Sequence, residues 1–375
     1  MACLEECMEK ALPGDAPLEV PHFDSALPAG WLDGRNGHSP WPNGRALPRR
    51  SPASDGLLPL VVPLVGVGST STELVGGKAA QLAVLTSLGL PVPAAFFVTT
   101  AAYWRFLSAA GLDRWLADAL GRLSPRDLRG VVGLAAEVRE RFSAHPLPDE
   151  LAEAVRQSYE ELLGGDERTP VAVRSSASVE DGRVASFAGQ CESLLNVRGT
   201  ASLLRAVVTC WASLHSEQAL LYRARHGLLG SECAAAVVVQ HLVLADRAAV
   251  AFSANPVDGD LSRVVVNASW GLGEAIVSGL VDPDYYVVSK RDFAVLDRQI
   301  ADKQLMTVML PEGGTAEVPV PGDRRRVSSL SDGEVQELAR MAVHLESARG
   351  HPVDVEFAYQ GPRLAVLQCR PITTL

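Results

Sequence analysis

The sequence predicts a mixed α+β protein with two lobes. Helical periodicities cluster between residues 101 and 163, whereas β-rich segments dominate from residue 171 onwards. Strands and helices are interleaved without the regular alternation of a doubly wound sheet. The chain has 375 residues, of which 47% are hydrophobic and 21% charged, and this suffices for two or three folding units with buried cores.

Three segments are expected along the chain. Residues 1–58 are rich in Pro, Gly and polar residues and keep no helical or strand period, which predicts a flexible extension. Residues 59–235 are expected to form an N-terminal lobe, and residues 236–375 a C-terminal lobe that ends in a β-hairpin.

Local periodicity and turn residues place the elements in order. Strands are predicted at 57–65, 91–100, 171–178, 234–243, 248–257 and 264–270, and in a terminal hairpin from Val353. Helices are predicted over 78–88, 101–120, 125–143, 149–163, 200–225 and 332–349.

Charge and composition exclude several classes of protein. The net charge of −10 disfavours binding to nucleic acid or to an anionic membrane surface. No run of about 18 apolar residues is present, and the acidic N-terminus does not resemble a secretory signal, so a cytoplasmic protein is expected. The cysteines at positions 3, 7, 191, 210, 233 and 369 are too scattered to predict a disulfide framework or a zinc site.

The segment Gly76-Gly77-Lys78 precedes a predicted helix. Paired glycines let the backbone approach a phosphate, and Lys78 adds a positive charge at the helix N-terminus. The segment is not a P-loop, because Thr72 and Ala79 stand where that motif needs Gly and Ser or Thr. A tight turn with an exposed lysine fits the same pattern.

A second candidate is "VAVRSSASVEDGRVASFAGQ", residues 171–190. Arg174 lies near the end of an apolar strand, where its guanidinium group can bind phosphate oxygens. The small-residue loop Ser186-Phe187-Ala188-Gly189 can close over a polyphosphate with its amides. A strand edge with a solvated arginine explains the segment equally well.

Two further segments have weaker signals. Gly271-Leu272-Gly273-Glu274 follows a strand, but it lacks the third spaced glycine of a dinucleotide turn. Glu274 either complements a helix dipole or contacts a ligand. His241 follows a run of valines, which favours a packed strand histidine over a catalytic base.

The terminal hairpin carries polar pairs on otherwise apolar strands. Asp354 and Glu356 share one face, as do Gln368 and Arg370 on the return strand. A turn centred on Gly361 predicts that Asp354 lies opposite Gln368, and that Glu356 is the diagonal neighbour of Gln368. Oxygen ligands beside an arginine suit a Mg²⁺–triphosphate, although a solvated face with Arg–carboxylate pairs has the same composition.

Taken in order, these segments resemble the nucleotide-binding domain of the phosphoenolpyruvate synthase and pyruvate phosphate dikinase family, which includes rifampicin phosphotransferases. The matching stretches are "GGKAAQLAVLTSLGLPVPAAFFVTT", "VAVRSSASVEDGRVASFAGQ", "VVVQHLV", "VAFSANPVDG", "WGLGEAIVSGLVDPDYYVV" and "VDVEFAYQGPRLAVLQCRPI". They cover most of residues 62–373 and imply an ATP-grasp fold with ATP between two lobes.

The resemblance also implies roles for individual residues. Lys78, beside Gly77, and Arg174 would hold phosphates under the loop of Ser186, Phe187, Ala188 and Gly189. The strand containing Gln240, Leu242 and Val243 would border the adenine, and Glu274 would contact the nucleotide. Glu356 and Gln368 would bind Mg²⁺ with support from Asp354, while Arg370 would stabilise the transferring phosphoryl group.

The chain departs from the family pattern in several places, among them Ala249 and Ser253, where the family commonly has Gly and Thr. His241 and Leu242 stand where the family usually has a bulky residue and Met, which predicts an altered purine pocket. Family members continue past the segment matching Arg370-Pro371 with a domain that bears a phosphorylatable histidine, and no histidine here has that setting. This chain is therefore expected to be the ATP-binding part of an enzyme whose phosphohistidine domain is a separate protein, or a domain with a new role.

Three functions follow as hypotheses. The first is a Mg-ATP-dependent phosphotransferase component that passes phosphoryl groups to a histidine on a separate protein or to a small-molecule acceptor. The second is an enzyme that directly phosphorylates or activates a small molecule, for instance a carboxylate before ligation. The third is a catalytically silent nucleotide-sensing protein.

Overall fold

The computed structural model describes residues 58–65, 72–124, 127–177, 181–182, 185–186, 193–226, 228–229 and 233–373. Residues Pro59–Leu375 form one compact unit. The predicted extension, apart from residue 58, lies outside the described residues.

Nine helices are present in the described part of the chain. They are α1 Thr72–Ser87, α2 Thr100–Ala109, α3 Asp113–Arg122, α4 Leu128–Ser143, α5 Asp149–Leu163, α6 Thr200–Ser213, α7 Glu217–Arg225, α8 Glu274–Val277 and α9 Asp332–Arg349.

The strands of the described ranges are numbered in the same way. They are β1 Val61–Pro63, β2 Ala95–Val98, β3 Val171–Ala177, β4 Asp181–Gly182, β5 Ala185–Ser186, β6 Ser193–Val197, β7 Ala235–His241, β8 Arg247–Phe252, β9 Arg263–Trp270, β10 Asp284–Ser289, β11 Val295–Gln299, β12 Leu305–Met309, β13 Thr315–Pro319, β14 Val353–Gln360 and β15 Arg363–Pro371.

Two antiparallel sheets organise the molecule. The five-stranded sheet has the order β1-β2-β7-β3-β6, and the six-stranded sheet has the order β11-β10-β9-β8-β14-β15. Strands β12 and β13 form a separate hairpin, and β4 pairs with β5. This arrangement confirms the predicted α+β class, with the strands in two main sheets, and the two-lobed ATP-grasp assignment stays a prediction.

The five-stranded sheet is buried against helices. Every residue of β7 is buried, which explains its unbroken apolar run. Trp211 of α6 is fully buried and donates an indole hydrogen bond to the carbonyl oxygen of Ala235 at 2.9 Å. Helix α1 contacts β3 and β7 of this sheet and also β15 of the other, so it lies where the two sheets meet.

The six-stranded sheet has one covered face and one polar face. Helix α9 packs against β8, β9, β10 and β14, burying an apolar stripe that includes Val335, Leu338 and Leu345. A capping box between Ser331 and Glu334 begins this helix. Along β14 Val353 and Val355 are buried while Asp354 and Glu356 are only partly buried, as the predicted alternation requires, whereas Phe357–Tyr359 are all buried.

Two predicted helices are each broken in two. The segment 101–120 divides at Gly111, whose φ of +65° lies in the left-handed region. The segment 200–225 divides because the chain leaves the helix after Ser213, and the Ser216 hydroxyl then accepts a hydrogen bond from the Ala219 amide to begin α7. The predicted helix 332–349 is confirmed with its bounds unchanged.

Two other boundaries also differ from prediction. The first strand is shorter than 57–65, since regular pairing covers only Val61–Pro63. Strand β7 begins at Ala235 and pairs only within the five-stranded sheet, so the sheets separate after His241 rather than between residues 235 and 236. The division into 1–58, 59–235 and 236–375 otherwise stays a prediction.

No helix in the described residues is long and apolar enough to cross a membrane.

Candidate functional site

The terminal hairpin brings four polar side chains to one face of the six-stranded sheet. Glu356 lies opposite Gln368, and Asp354 lies opposite Arg370. We call these four residues the polar floor. The predicted pairing of Asp354 with Gln368 is wrong, because a two-residue turn and a β-bulge next to Glu356 each shift the register by one.

Arg370 joins the two carboxylates of the floor. Its Nε donates a hydrogen bond to Asp354 Oδ1 at 3.2 Å, and its Nη2 donates one to Glu356 Oε1 at 3.3 Å. The guanidinium group therefore sits across both acidic side chains of the hairpin.

A second arginine reaches the floor from the other sheet. Arg174 on β3 donates from Nη2 to Gln368 Oε1 at 2.6 Å, and the same nitrogen lies 3.5 Å from Glu356 Oε2. Glu356 thus lies between two guanidinium groups that belong to different sheets. The sequence placed these residues in separate motifs, and the fold brings them together.

Partial burial strengthens the electrostatics of this cluster. The side chains of Glu356 and Arg370 are 12% and 24% exposed, so they are shielded but reachable. Burial raises the pKa of the Asp354 carboxyl to about 6; Arg370 opposes this rise and the neighbouring Glu356 adds to it. The floor therefore concentrates negative charge that two arginines balance.

Carboxylate and amide oxygens are the ligands that Mg²⁺ prefers, and guanidinium groups match phosphate oxygens. The donor set of the floor therefore fits a cation together with a phosphate chain. Within the described ranges no group of three or more His, Cys, Asp and Glu residues is suited to a metal.

The Gly76-Gly77-Lys78 segment packs against the strand that carries Arg174. Gly76 has φ 77° and ψ 172°, which kinks α1, and a Cβ at this position would lie 2.0 Å from the carbonyl oxygen of Ser176. Only glycine permits this approach. Helix α1 begins at Thr72, six residues earlier than the predicted start at Lys78, and its continuation after the kink corresponds to the predicted helix.

Ser176 joins the two halves of the kinked helix. Its hydroxyl donates to the carbonyl oxygen of Val75 at 2.9 Å and accepts from the amide of Ala79 at 3.2 Å. Lys78 Nζ donates to the carbonyl oxygen of Ser175 at 3.1 Å, next to Arg174 in sequence. Lys78 and Arg174 thus lie on neighbouring backbone segments, and their shared phosphate site stays a prediction.

The residues expected near adenine lie where the chain passes between the sheets. Gln240 is buried and donates from its amide to the carbonyl oxygen of Pro93 at 3.2 Å. His241 lies 2.9 Å from the carbonyl oxygen of Leu162, and the Leu242 amide donates to the carbonyl oxygen of Pro170 at 3.0 Å. Val243 continues this connection towards β8. The buried ring of His241 agrees with the predicted packed histidine.

Glu274 lies in the first turn of the four-residue helix α8 and is exposed. Its Oε2 accepts a hydrogen bond from Thr315 Oγ1 of β13 at 3.1 Å. The preceding Gly271 has φ +79°, and a Cβ there would lie 2.4 Å from the carbonyl oxygen of Thr307. The close approach of the β12–β13 hairpin therefore explains a glycine that only superficially resembled a dinucleotide turn.

The predicted loop over the phosphates is largely outside the described residues. Ser186 belongs to β5, which pairs with β4, and nothing further is described for its side chain. Phe187, Ala188 and Gly189 lie outside the described residues, so their role stays a prediction.

Sequence reasoning missed three side chains that hold this site together: Ser176, Thr315 and Asn196. Ser176 stands in the quoted Arg-Ser-Ser segment, where two hydroxyl residues on a buried strand indicate specific partners. Thr315 and Asn196 act through long-range contacts, for which the local sequence gives no signal.

Known proteins are similar to this chain over most of its length. The family model described as "Pyruvate phosphate dikinase, AMP/ATP-binding domain" matches residues 72–375. A probable phosphoenolpyruvate synthase from Methanocaldococcus jannaschii is 38% identical over 311 residues, covering 82% of this chain and 26% of the relative. A rifampicin phosphotransferase from a Streptomyces species is 42% identical over 317 residues, covering 84% of this chain and 36% of the relative.

The chain therefore spans only about a quarter to a third of the length of these two relatives. Among solved structures, a D-alanine-D-alanine ligase from Helicobacter pylori aligns over 58% of this chain and 47% of its own, with a TM-score of 0.27 and 10% identity. That likeness is too weak to carry an argument. The match to the family model covers the polar floor and every described strand except β1, and the chain belongs to the family of pyruvate phosphate dikinase AMP/ATP-binding domains.

Proposed function

We propose that the protein is a Mg-ATP-dependent phosphotransferase component. It takes phosphoryl groups from ATP and passes them to a histidine on a separate protein or to a small-molecule acceptor. The observation that carries this proposal is the convergence of Arg174 and Arg370, from different sheets, on the oxygens of Glu356 and Gln368.

The cation would be held by Glu356 and Gln368. The two residues are cross-strand partners in the hairpin, and their carboxylate and amide oxygens suit the preference of Mg²⁺ for oxygen ligands. A bound Mg²⁺ supplies neutralisation of the phosphate charge. Asp354 supports the site indirectly, because it accepts a hydrogen bond from Arg370 and so orients that guanidinium group.

The basic side chains would act on the phosphate chain. Arg174 and Lys78 lie on adjacent segments and bind phosphate oxygens in the ground state. Arg370 stabilises the charge on the phosphoryl group during transfer, which is the main task of a protein in this chemistry. Gln240, Leu242 and Val243 border the adenine, Glu274 contacts the nucleotide, and the loop Ser186–Gly189 closes over the phosphates.

Product analysis with ATP labelled at the β and γ positions tests the proposal. The purified chain is incubated with Mg-ATP, with and without candidate acceptors, and the nucleotide products are separated. AMP with phosphate supports a dikinase-like transfer, and ADP supports a kinase or ligase that acts directly on a small molecule. ATP that binds but is never consumed, with any acceptor, would contradict the proposal and favour a nucleotide-sensing protein.

A further inference from the structure

The β12–β13 hairpin, residues Leu305–Pro319, is anchored to both sheets. It forms a two-stranded sheet of its own and belongs to neither of the larger ones. We call this hairpin the strap. Its base, its tip and its middle each make a different set of contacts, and none of these was expected from the sequence.

The base of the strap is fixed to the six-stranded sheet by a buried ion pair. Lys303 Nζ lies 2.5 Å from Asp284 Oδ1, and both side chains are fully buried. The same carboxylate accepts hydrogen bonds from the Ala301 amide at 3.0 Å and from the amide and hydroxyl of Ser329 at 2.8 and 2.7 Å. Both oxygens of Asp284 are therefore satisfied, which makes this a rigid anchor.

The tip of the strap is fixed to the five-stranded sheet by Asn196 of β6. Its side-chain Nδ2 donates to the carbonyl oxygens of Leu310 and Gly314, both at 2.7 Å. Its main-chain carbonyl oxygen accepts a hydrogen bond from the Gly314 amide at 3.1 Å. Asn196 is 1% exposed and adopts φ 57°, a conformation that asparagine tolerates better than most residues. Its side chain thus clamps both ends of the turn.

The middle of the strap holds the segment Gly271–Glu274. The Leu272 amide donates to the carbonyl oxygen of Thr307 at 2.9 Å, and Thr315 Oγ1 donates to the Glu274 carboxylate at 3.1 Å. A helix of four residues such as α8 cannot hold its own orientation. The strap therefore holds the backbone at Leu272, two residues before Glu274, and the carboxylate of Glu274.

We propose that Thr315 and Asn196 are positioning residues for Glu274, and that the strap sets its carboxylate where the nucleotide binds. This inference rests on the proposed function, in which Glu274 contacts the nucleotide. Thr315 orients the carboxylate directly. Asn196 acts one step further away, because it holds the tip of the hairpin on which Thr315 lies.

The decisive experiment measures Mg-ATP affinity for Thr315→Val in two backgrounds. In the native background the lost hydrogen bond weakens binding by about three- to tenfold. In a Glu274→Ala background the same change has no further effect, because the carboxylate that Thr315 orients is gone. Thr315→Ser restores native affinity. Thr209→Val is the matched control, since that hydroxyl bonds only to the carbonyl oxygen of Arg205 in its own helix.

Asn196 is tested with two substitutions of opposite character. Asn196→Gly keeps the positive φ but removes the amide, and it raises the KM for ATP by about three- to tenfold while kcat changes by less than about twofold. Asn196→Asp weakens binding further, because a carboxylate oxygen then faces the carbonyl oxygens of Leu310 and Gly314.

The outcomes distinguish a failure of the positioning role from a failure of the proposed function. If the native chain binds Mg-ATP and Thr315→Val binds it equally well, the positioning role is overturned while the function stands. An equal loss of affinity with and without Glu274 would also overturn that role, because it would reveal a general structural effect. Absence of Mg-ATP binding by the native chain would overturn both.

Discussion

The six-stranded sheet contains two clusters of opposite charges that differ in design. In the first, Asp284 and Lys303 are fully shielded from solvent, and the carboxylate accepts further hydrogen bonds from Ala301 and Ser329. In the second, the polar floor, Glu356 is shared between Arg174 and Arg370 at 3.5 and 3.3 Å, and its side chain is 12% exposed.

This difference separates a fully buried ion pair, which keeps its partners, from a partly exposed cluster whose contacts can be exchanged. Separating Lys303 from Asp284 would leave a charge buried without compensation, so the pair persists and fixes the base of the strap. In the floor each guanidinium group has several alternative oxygen partners within reach and partial access to solvent. Such contacts can be exchanged for phosphate oxygens at low cost.

Breaking the buried ion pair of Lys303 and Asp284 should change the protein most. Lys303→Met leaves Asp284 ionised and unpaired in the interior, and we expect the free energy of unfolding to fall by about 3–5 kcal/mol. Urea denaturation followed by circular dichroism measures this change. Arg326→Met is the control, because Arg326 pairs with Asp302 at 3.2 Å but its side chain is 81% exposed. Arg326→Met should lower the free energy of unfolding by at most about 1 kcal/mol. Similar losses for the two variants would contradict the distinction.

The next effect concerns the floor, where activity rather than stability should change. Arg370→Ala removes a group that acts on the phosphoryl group during transfer, so turnover should fall by about a hundred- to a thousandfold. Mg-ATP affinity should change little, since Lys78 and Arg174 remain. Initial rates of ATP consumption and equilibrium binding measure the two quantities.

Two control variants accompany that measurement. Arg370→Lys keeps a positive charge but loses the planar guanidinium group, which can donate two parallel hydrogen bonds. Turnover should therefore stay well below the native value. Arg363→Ala alters an exposed arginine at the start of the same strand and should leave both quantities unchanged. Native turnover in Arg370→Ala would remove the role assigned to this residue.

Local patterns predicted the elements whose determinants lie close together in sequence. The bounds of α9 follow from its capping residues and apolar stripe, and the alternation along β14 placed Asp354 and Glu356 on one face. Hairpin pairing depends on details that alternation does not encode. The two-residue turn and the β-bulge next to Glu356 together changed the partner of each carboxylate without moving it from its face.

Contacts between segments that are distant in sequence could not be predicted from local patterns. Asn196 lies more than a hundred residues from Leu310 and Gly314, and nothing near it in sequence indicates a clamp on a hairpin. Lys303, one of four lysines in the chain, carries no local sign of burial, because its partner Asp284 belongs to another strand. Such residues are recognised only when the fold brings their partners together.

We propose that Glu356 and Gln368 bind the cation of Mg-ATP while Arg174 and Arg370 hold its phosphates. Titration of ATP binding against Mg²⁺ concentration, for the native chain and for Glu356→Gln, tests this most directly. Loss of the carboxylate charge should raise the Mg²⁺ concentration required by about tenfold, or about 1.4 kcal/mol. Glu160→Gln, an exposed change on α5, should have no effect. An identical Mg²⁺ dependence in Glu356→Gln and the native chain would contradict the account.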